Sequence, residues 1–406
     1  MSRFDRAKCL FVLCAAPALA FTTSCRQGLV PANAVMHPTE ENLPPPGSPL
    51  IRADTVIEGL STPERAAQWS AARRALLDAT PGTGVGTLDG TGPDLLGSIA
   101  AAASDAAGNV YILDGMAEQV LVFDAAGDFL HRVGGKGEGP EEFTNVRDLV
   151  RLPDGRLVVG QSGAPAKVLE PGPEGYAFAG PLVRDRATET LAIIDMCALQ
   201  DRLFVHSSNL ARDELVIHEV STVDGAVLSS FADAYRARFA SDRTDRSYGR
   251  IACAEDPPTL VWGFYYFPIV RAFRPDNTLL WAALIEDFAQ GLVYQNSPSS
   301  PTVHPRSSPT EYIVAAHALP PGFVVLRTVR YEHRGTGEDR AWEAVRRRTY
   351  LVDQETGNGG LVSDSLPRIA WIGDSTYVAA WSFPYPRVEV RMMPRVDSRH
   401  AVTERQ

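Results

Sequence analysis

The sequence holds no complete catalytic motif. There is no HExxH run to present two histidines and a base to zinc, no CxxC pair, no GxSxG elbow to expose a serine, and no phosphate loop ending in Gly-Lys-Ser/Thr. Gly134-Gly135-Lys136-Gly137 comes nearest to the last, but Gly137 stands where the hydroxyl residue is needed. The 8 histidines (His37, His131, His206, His218, His304, His317, His333 and His400) occur singly, without the i, i+4 spacing that sets two on one metal. A basic surplus is missing as well, since the formal net charge is -10. Sequence-independent nucleic-acid binding needs a basic surface to displace counterions from phosphate, so that class is excluded and any anion site must be local.

Long apolar runs are absent save one. Arg3, Arg6 and Lys8 precede an apolar stretch from Leu10 to Leu19, and Ala18-Leu19-Ala20 closes it with small residues, which reads as a signal peptide over 1–20. The run is too short to span a bilayer. Thr22-Thr23-Ser24-Cys25 also resembles a bacterial lipobox, lacking its usual Leu, so a lipoprotein signal over 1–24 stays open. Of the 5 cysteines, Cys9 and Cys14 leave with the signal, Cys197 and Cys253 can pair in an oxidising compartment, and Cys25 remains as a candidate for lipidation. The expected location is therefore the periplasm, free or membrane-anchored through Cys25. Arg26 to Pro49, with Pro44-Pro45-Pro46-Gly47 and little apolar periodicity, reads as part of a disordered tether over 21–60.

Turn residues are plentiful, with 33 Gly and 30 Pro beside 45% hydrophobic and 22% charged residues, which favours an all-β fold. An internal repeat sharpens this. Gly92-Pro93-Asp94-Leu95-Leu96 recurs as Gly139-Pro140-Glu141-Glu142-Phe143, and Gly108-Asn109-Val110-Tyr111-Ile112 recurs as Gly155-Arg156-Leu157-Val158-Val159, both at an offset of 47. Within the first unit, turns at Ala107-Gly108 and Ala125-Ala126-Gly127 separate short apolar runs, the pattern of successive hairpins.

The runs Gly108 to Asp114, Val120 to Gly127 and Gly134 to Phe143 closely resemble the repeat of NHL-type six-bladed β-propellers. The resemblance is strong over residues 97–160 and decays afterwards. It implies an all-β fold of six four-stranded blades over residues 61–396, with a disordered tail at 397–406. Later units keep the skeleton: a third around Asp195 to Leu199, a fourth around Ile251 to Ala254, a fifth around Ile313 to Ala316 and a sixth around Ile369 to Ile372. The sixth lacks an outer strand. Closing the ring requires an N-terminal strand from between Trp69 and Val85, because an open edge is a liability. Ser61-Thr62 before the Ala-rich Pro63 to Leu77 would also cap a helix, but the demand for a strand is expected to prevail near Trp69 to Leu77.

Amidating lyases and gluconolactonases on similar propellers bind a metal around the central channel, which directs attention to inner-strand donors. Asp148 and Asp195 share a register 47 residues apart and are the candidate ligands for Ca or Zn, with Glu311 and His317 flanking the fifth inner strand. The stronger signal lies at the mouth. Arg147, Arg250 and Arg368 begin inner strands, and Tyr265, Tyr266, Tyr385, His206 and Arg330 fall in loops expected on the same face. Asp148 is expected to alternate away from Arg147, leaving that guanidinium to seek another anion. Insertions at Ala232 to Tyr248 and Asp287 to Thr310 should rise there too, the former with Arg236, Arg238, Arg243 and Arg246. The expected function is non-enzymatic binding of a peptide, glycan or protein partner without a cofactor; the alternative is a metal-dependent lyase or lactonase.

Overall fold

The computed structural model describes residues 34–35, 38–55, 57–89, 91–173, 175–182, 192–207, 215–237, 240–290, 293–294, 309–334 and 341–394. The expected signal peptide, the lipidation candidate Cys25 and the tail at 397–406 lie outside them. The fold is all-β, with antiparallel strands in quartets. The first quartet is Ile99–Ser104, Val110–Asp114, Gln119–Phe123 and Phe129–Gly134. The second is Val146–Arg151, Leu157–Gln161, Lys167–Gly172 and Gly175–Pro181. The third comprises Ile193–Leu199, Arg202–Ser207, Leu215–Val220 and Val227–Asp233. Gly249–Ala254, Thr259–Phe264, Ile269–Phe273 and Leu279–Ile285 make the fourth, and Thr310–Leu319, Phe323–Arg334, Ala341–Asp353 and Gly359–Ser363 the fifth. In the sixth, Arg368–Ile372, Thr376–Trp381 and Arg387–Met392 are joined by Thr80–Val85, which pairs antiparallel with Arg387–Met392.

Local chemistry sets the hairpins of the first quartet. Asp105 Oδ1 accepts from the N–H groups of Ala107 and Asn109, and Asp124 Oδ1 accepts likewise from Ala126 and Asp128. Each turn ends in a glycine at positive φ, Gly108 at 88° and Gly127 at 91°, where a side chain would be strained. Val110–Asp114 is buried at every position. A strand covered on both faces reads as a continuous apolar run, and the two covers here are neighbouring quartets. Tyr111, Leu113 and Val122 pack with Phe143, just ahead of the second quartet, and with Leu149 and Val159 within it, while Ile112 and Leu121 pack with Val378 and Val388 of the sixth. The first strands of the quartets contact one another in order, and Arg368–Ile372 returns to contact Ile99–Ser104.

Two expectations are corrected at the N-terminal side. Residues near Trp69 to Leu77 form no strand: Pro63–Leu77 is an α-helix with Pro in its first turn, and Thr62 Oγ1 accepts from Arg65 N–H at 3.1 Å. The helix satisfies its own backbone and still buries Trp69, Ala72, Ala75 and Leu76 against Phe323, Leu351 and Tyr377, so tertiary packing has no need to override propensity. Trp69 Nε1–H donates to Leu351 O at 3.1 Å, and Arg65 pairs with the buried Asp353. The tether expected over 21–60 is also replaced, over much of its described part, by docked chain. Asn42 is 2% exposed, and Leu50–Arg52 is a strand inserted in parallel between Leu279–Ile285 and Gly359–Ser363, joining the fourth and fifth quartets into one nine-stranded sheet. Ile51, fully buried there, supplies the apolar contact that a tether lacks.

Candidate functional site

The first strand of each quartet has its outward edge paired and its inward edge open, so the N–H and C=O groups along that edge need partners. Side chains from adjacent first strands supply many of them. Asp148 Oδ2 accepts from Met196 N–H at 2.7 Å, and Asp195 Oδ2 accepts from Ile251 N–H at 2.7 Å. Arg368 donates to the carbonyls of Ile99 and Ala100 at 3.1 and 2.7 Å, and His317 Nε2 lies 2.8 Å from Ile369 O. In each case the residue reaches from one inner strand to the next. Register slips beside them, at Val146/Asp148, Ile193/Asp195 and Ile369/Trp371, mark bulges that re-aim side chains. The bulge also breaks the simple alternation expected of Arg147 and Asp148.

Asp148 and Asp195, the candidate metal ligands, have their carboxylate oxygens engaged in hydrogen bonds within the fold. Asp148 Oδ1 accepts from Leu149 N–H at 2.8 Å and Asp195 Oδ1 from Arg250 at 3.3 Å, so both oxygens of each carboxylate are engaged. Arg250 already supplies the positive charge a cation would bring. Burial pushes the Asp195 carboxyl up to about 7 despite Arg250, with the Asp148 charge acting in the same direction as burial. Burial also raises Asp148. Among the described residues no cluster of three or more His, Cys, Asp or Glu is arranged to hold a metal. Glu311, 1% exposed, accepts from Thr328 Oγ1, Ala289 N–H and Arg346.

The three expected mouth arginines meet different fates. Arg250 bridges to Asp195, Arg368 is spent on carbonyls, and Arg147 is exposed without an ion pair among the described residues. Arg250 and Arg368 sit close enough for each to oppose the other's charge, and burial with that repulsion brings Arg368 down to about 10. Beside Arg250 runs an arc of aromatic rings. Tyr265 meets Tyr248, Tyr266 and Tyr312 at centroid separations of 5.8, 4.9 and 4.8 Å. Tyr312 continues to Tyr331 at 5.7 Å, and Tyr331 stacks on Trp342 at 5.8 Å with the ring planes 2° apart. None of these five tyrosine hydroxyls bonds to another described residue, and Ile313 N–H donates to Tyr265 O at 3.0 Å, fixing the fourth-quartet loop against the fifth. Burial raises the pKa of Tyr265, Tyr266 and Tyr312, that of Tyr266 to about 12, so the hydroxyls stay protonated and can donate.

Other expected site residues are placed elsewhere. His206 is fully buried rather than at the mouth: its Nε2 lies 3.0 Å from Ser247 O, its ring packs at 5.6 Å from Trp262, and burial lowers its pKa to about 3. It falls within Arg202–Ser207, a strand covered on both faces. Arg330 belongs to Phe323–Arg334 and pairs with Glu332, while Tyr385 lies 5.4 Å under the guanidinium of Arg387. The insertion at Ala232 to Tyr248 carries a short helix, Ala240–Arg246, and Arg246 is buried over Tyr235; Arg238 lies outside the described residues. Most of Asp287 to Thr310 also lies outside them. Cys197 and Cys253, on the first strands of the third and fourth quartets, form a disulfide with Cα atoms 5.5 Å apart. Tyr248, Tyr312, Tyr331 and Trp342 escaped sequence reasoning. For Tyr331 and Trp342 the signal is the alternation of Tyr331 and His333 on one strand with Trp342 opposite His333, legible only once the hairpin register is known.

The sequence profile of a family described as a 6-bladed beta-propeller, DUF5128, matches residues 95–150. A protein of Bacteroides fragilis described as exported is similar in structure, with a TM-score of 0.51 and 9% identity over 85% of this chain and 99% of its own. A member of the DUF4221 family from Bacteroides vulgatus also scores 0.51, at 8% identity over 78% of this chain and 97% of its own. This chain is a β-propeller. Virginiamycin B lyase from Staphylococcus aureus is a weaker match to the propeller, with a TM-score of 0.41 and 10% identity over 73% of this chain and 95% of its own. No curated protein matches the propeller in sequence. At these identities the likeness extends to the fold alone, and the site must carry any functional reading.

Proposed function

We propose that the quartets are six blades of an NHL-like ring closed by Thr80–Val85, and that the protein is an exported, cofactor-free binding module rather than an enzyme. Support for the ring comes from the return of sixth-quartet packing onto the first and from the pairing of Thr80–Val85 with the last strand of the chain's described part. The module holds a peptide, glycan or partner protein on the aromatic rim between the fourth and fifth quartets. One observation carries this reading: the arc from Tyr248 to Trp342 presents contiguous rings whose tyrosine hydroxyls are not consumed by the described fold. Tyrosine and tryptophan give large contact area at low entropic cost, with a polar edge for hydrogen bonding. A metal-dependent lyase or lactonase would need Asp148 and Asp195 free, and both are engaged in cross-strand bonds.

Arrays of peptides and glycans, probed with the wild-type protein and with Tyr266→Ala and Trp342→Ala, test the proposal. The expected outcome is a ligand class bound by the wild type and at least about tenfold more weakly by each variant, a loss of roughly 1.4 kcal/mol. Ligands that bind both variants as well as the wild type would refute the rim.

A further inference from the structure

A second concavity, about 310 Å³, lies at the outer edges of the third and fourth quartets. It exists because residues 39–45 fold over those edges as a strap. The Asn42 amide acts as a strand would: its Nδ2–H donates to Arg236 O at 2.9 Å and its Oδ1 accepts from Arg236 N–H at 2.7 Å. Thr39 N–H donates to the Tyr235 hydroxyl at 3.1 Å, fixing the strap ahead of Asn42, and Leu50–Arg52 anchors the chain beyond it. Pro44 and Pro45, stiff by construction, form one wall. Phe273, Leu279 and Ala282 line the apolar side, while Arg271 sits over Phe264 at 5.0 Å.

Four charged side chains border this space: Arg236, Arg271, Glu41 and Asp233. Among the described residues none of the four forms an ion pair. Among the described residues Arg271 donates only to the main-chain Asp233 O, at 3.4 Å, and burial lowers its pKa, with Asp233 opposing that shift and Arg236 adding to it. The half-buried guanidinium of Arg271 keeps its proton and gains from an anionic acceptor, while that of Arg236 is open to solvent and to a ligand. The lining therefore offers two cations and two anions, none held in an ion pair among the described residues, with Glu41, Asp233 and Arg236 exposed and Arg271 half-buried. A simple carboxylate would gain the guanidiniums but face both carboxylates, and a simple ammonium would meet the converse. A molecule bearing both charges satisfies both sets. The volume falls at the lower end of small-molecule sites, about 300 to 1,000 Å³, and suits a compact ligand.

We propose that this cavity binds a small zwitterion, an α-amino acid or dipeptide, with its carboxylate on Arg236 and Arg271, its ammonium toward Glu41 and Asp233, and its side chain against Phe273 and Leu279. The site is separate from the aromatic rim. Titration calorimetry of the full chain with L-leucine, L-phenylalanine and Ala-Phe tests it, with 3-phenylpropionate as the anion-only probe and phenethylamine as the cation-only probe. At least one zwitterion is expected to bind at least about tenfold more tightly than both single-charge probes. Arg236→Ala and Asp233→Asn, both at exposed side chains, should each weaken that binding about tenfold with the melting temperature unchanged, while Trp342→Ala leaves it intact. Absence of binding by all three zwitterions, equal binding of a single-charge probe, or indifference to both cavity variants would overturn the proposal.

Discussion

The buried pair of Asp148 and Asp195 should make the stability of this protein depend on pH in a direction opposite to that of an ordinary salt-bridged carboxylate. Asp195 has its pKa raised from 3.8 to about 7, chiefly by burial, so the folded state holds a proton more tightly than the unfolded chain does. Its contribution to stability is fully present below the unfolded pKa and is lost as pH rises through 7. One pH unit of differential binding corresponds to about 1.4 kcal/mol, so moving from pH 7 to pH 5 recovers on the order of 3 kcal/mol from this group. His206 and His317, held below their ordinary values by burial, also make stability depend on pH, in the opposite sense, as the unfolded chain's histidines take up protons, so the clean quantity is the difference between wild type and Asp195→Asn. Asparagine keeps an oxygen for Ile251 N–H and removes the titrating proton. Denaturant midpoints measured at pH 8, 7, 6 and 5 should show the wild type gaining on the variant by roughly 2 to 3 kcal/mol as pH falls. A difference between the two that stays constant across that range would refute the reasoning, because no raised pKa would then be lost with the carboxylate.

Two further outcomes test the parts of the fold that hold the site. Trp69→Ala removes a buried side chain that packs the helix Pro63–Leu77 on the fifth quartet and donates to Leu351 O, and should cost about 3 to 5 kcal/mol in chemical denaturation; a cost under about 1 kcal/mol would mean the helix is not docked as described. Replacing Cys197 and Cys253 together by serine opens a link across 56 residues, and the loss expected is about 2 to 4 kcal/mol. Free-thiol titration of the unfolded, non-reduced protein checks the link itself, which two free thiols would exclude.

The strand repeat was legible in the sequence because each hairpin is a local event. Asp105 and Asp124 bind backbone within four residues, Gly108 and Gly127 take the positive φ their turns require, and the apolar runs between them have no alternative but burial. The helix at Pro63–Leu77 is legible too, through Thr62 and Pro63, although the strand that the sixth unit lacks competes for the same residues. Thr80–Val85, just beyond it, pairs with the outer edge of the sixth quartet.

What tertiary structure alone decided is everything that joins residues distant along the chain. Asn42 meets Arg236 across a separation of 194 residues, and Ile51 lies between strands that end near 285 and begin near 359. No local pattern marks a segment rich in proline as a strap, since its partners are backbone groups elsewhere. Asp148 and Asp195 looked like free carboxylates because a sequence cannot show which open strand edge they will face, and His206 looked exposed because its burial comes from a neighbouring quartet. Composition and turn chemistry determine that this chain makes short, doubly buried strands. Which polar side chains remain free for a ligand is settled only when the edges of those strands, unpaired within their own sheets, take the partners they need.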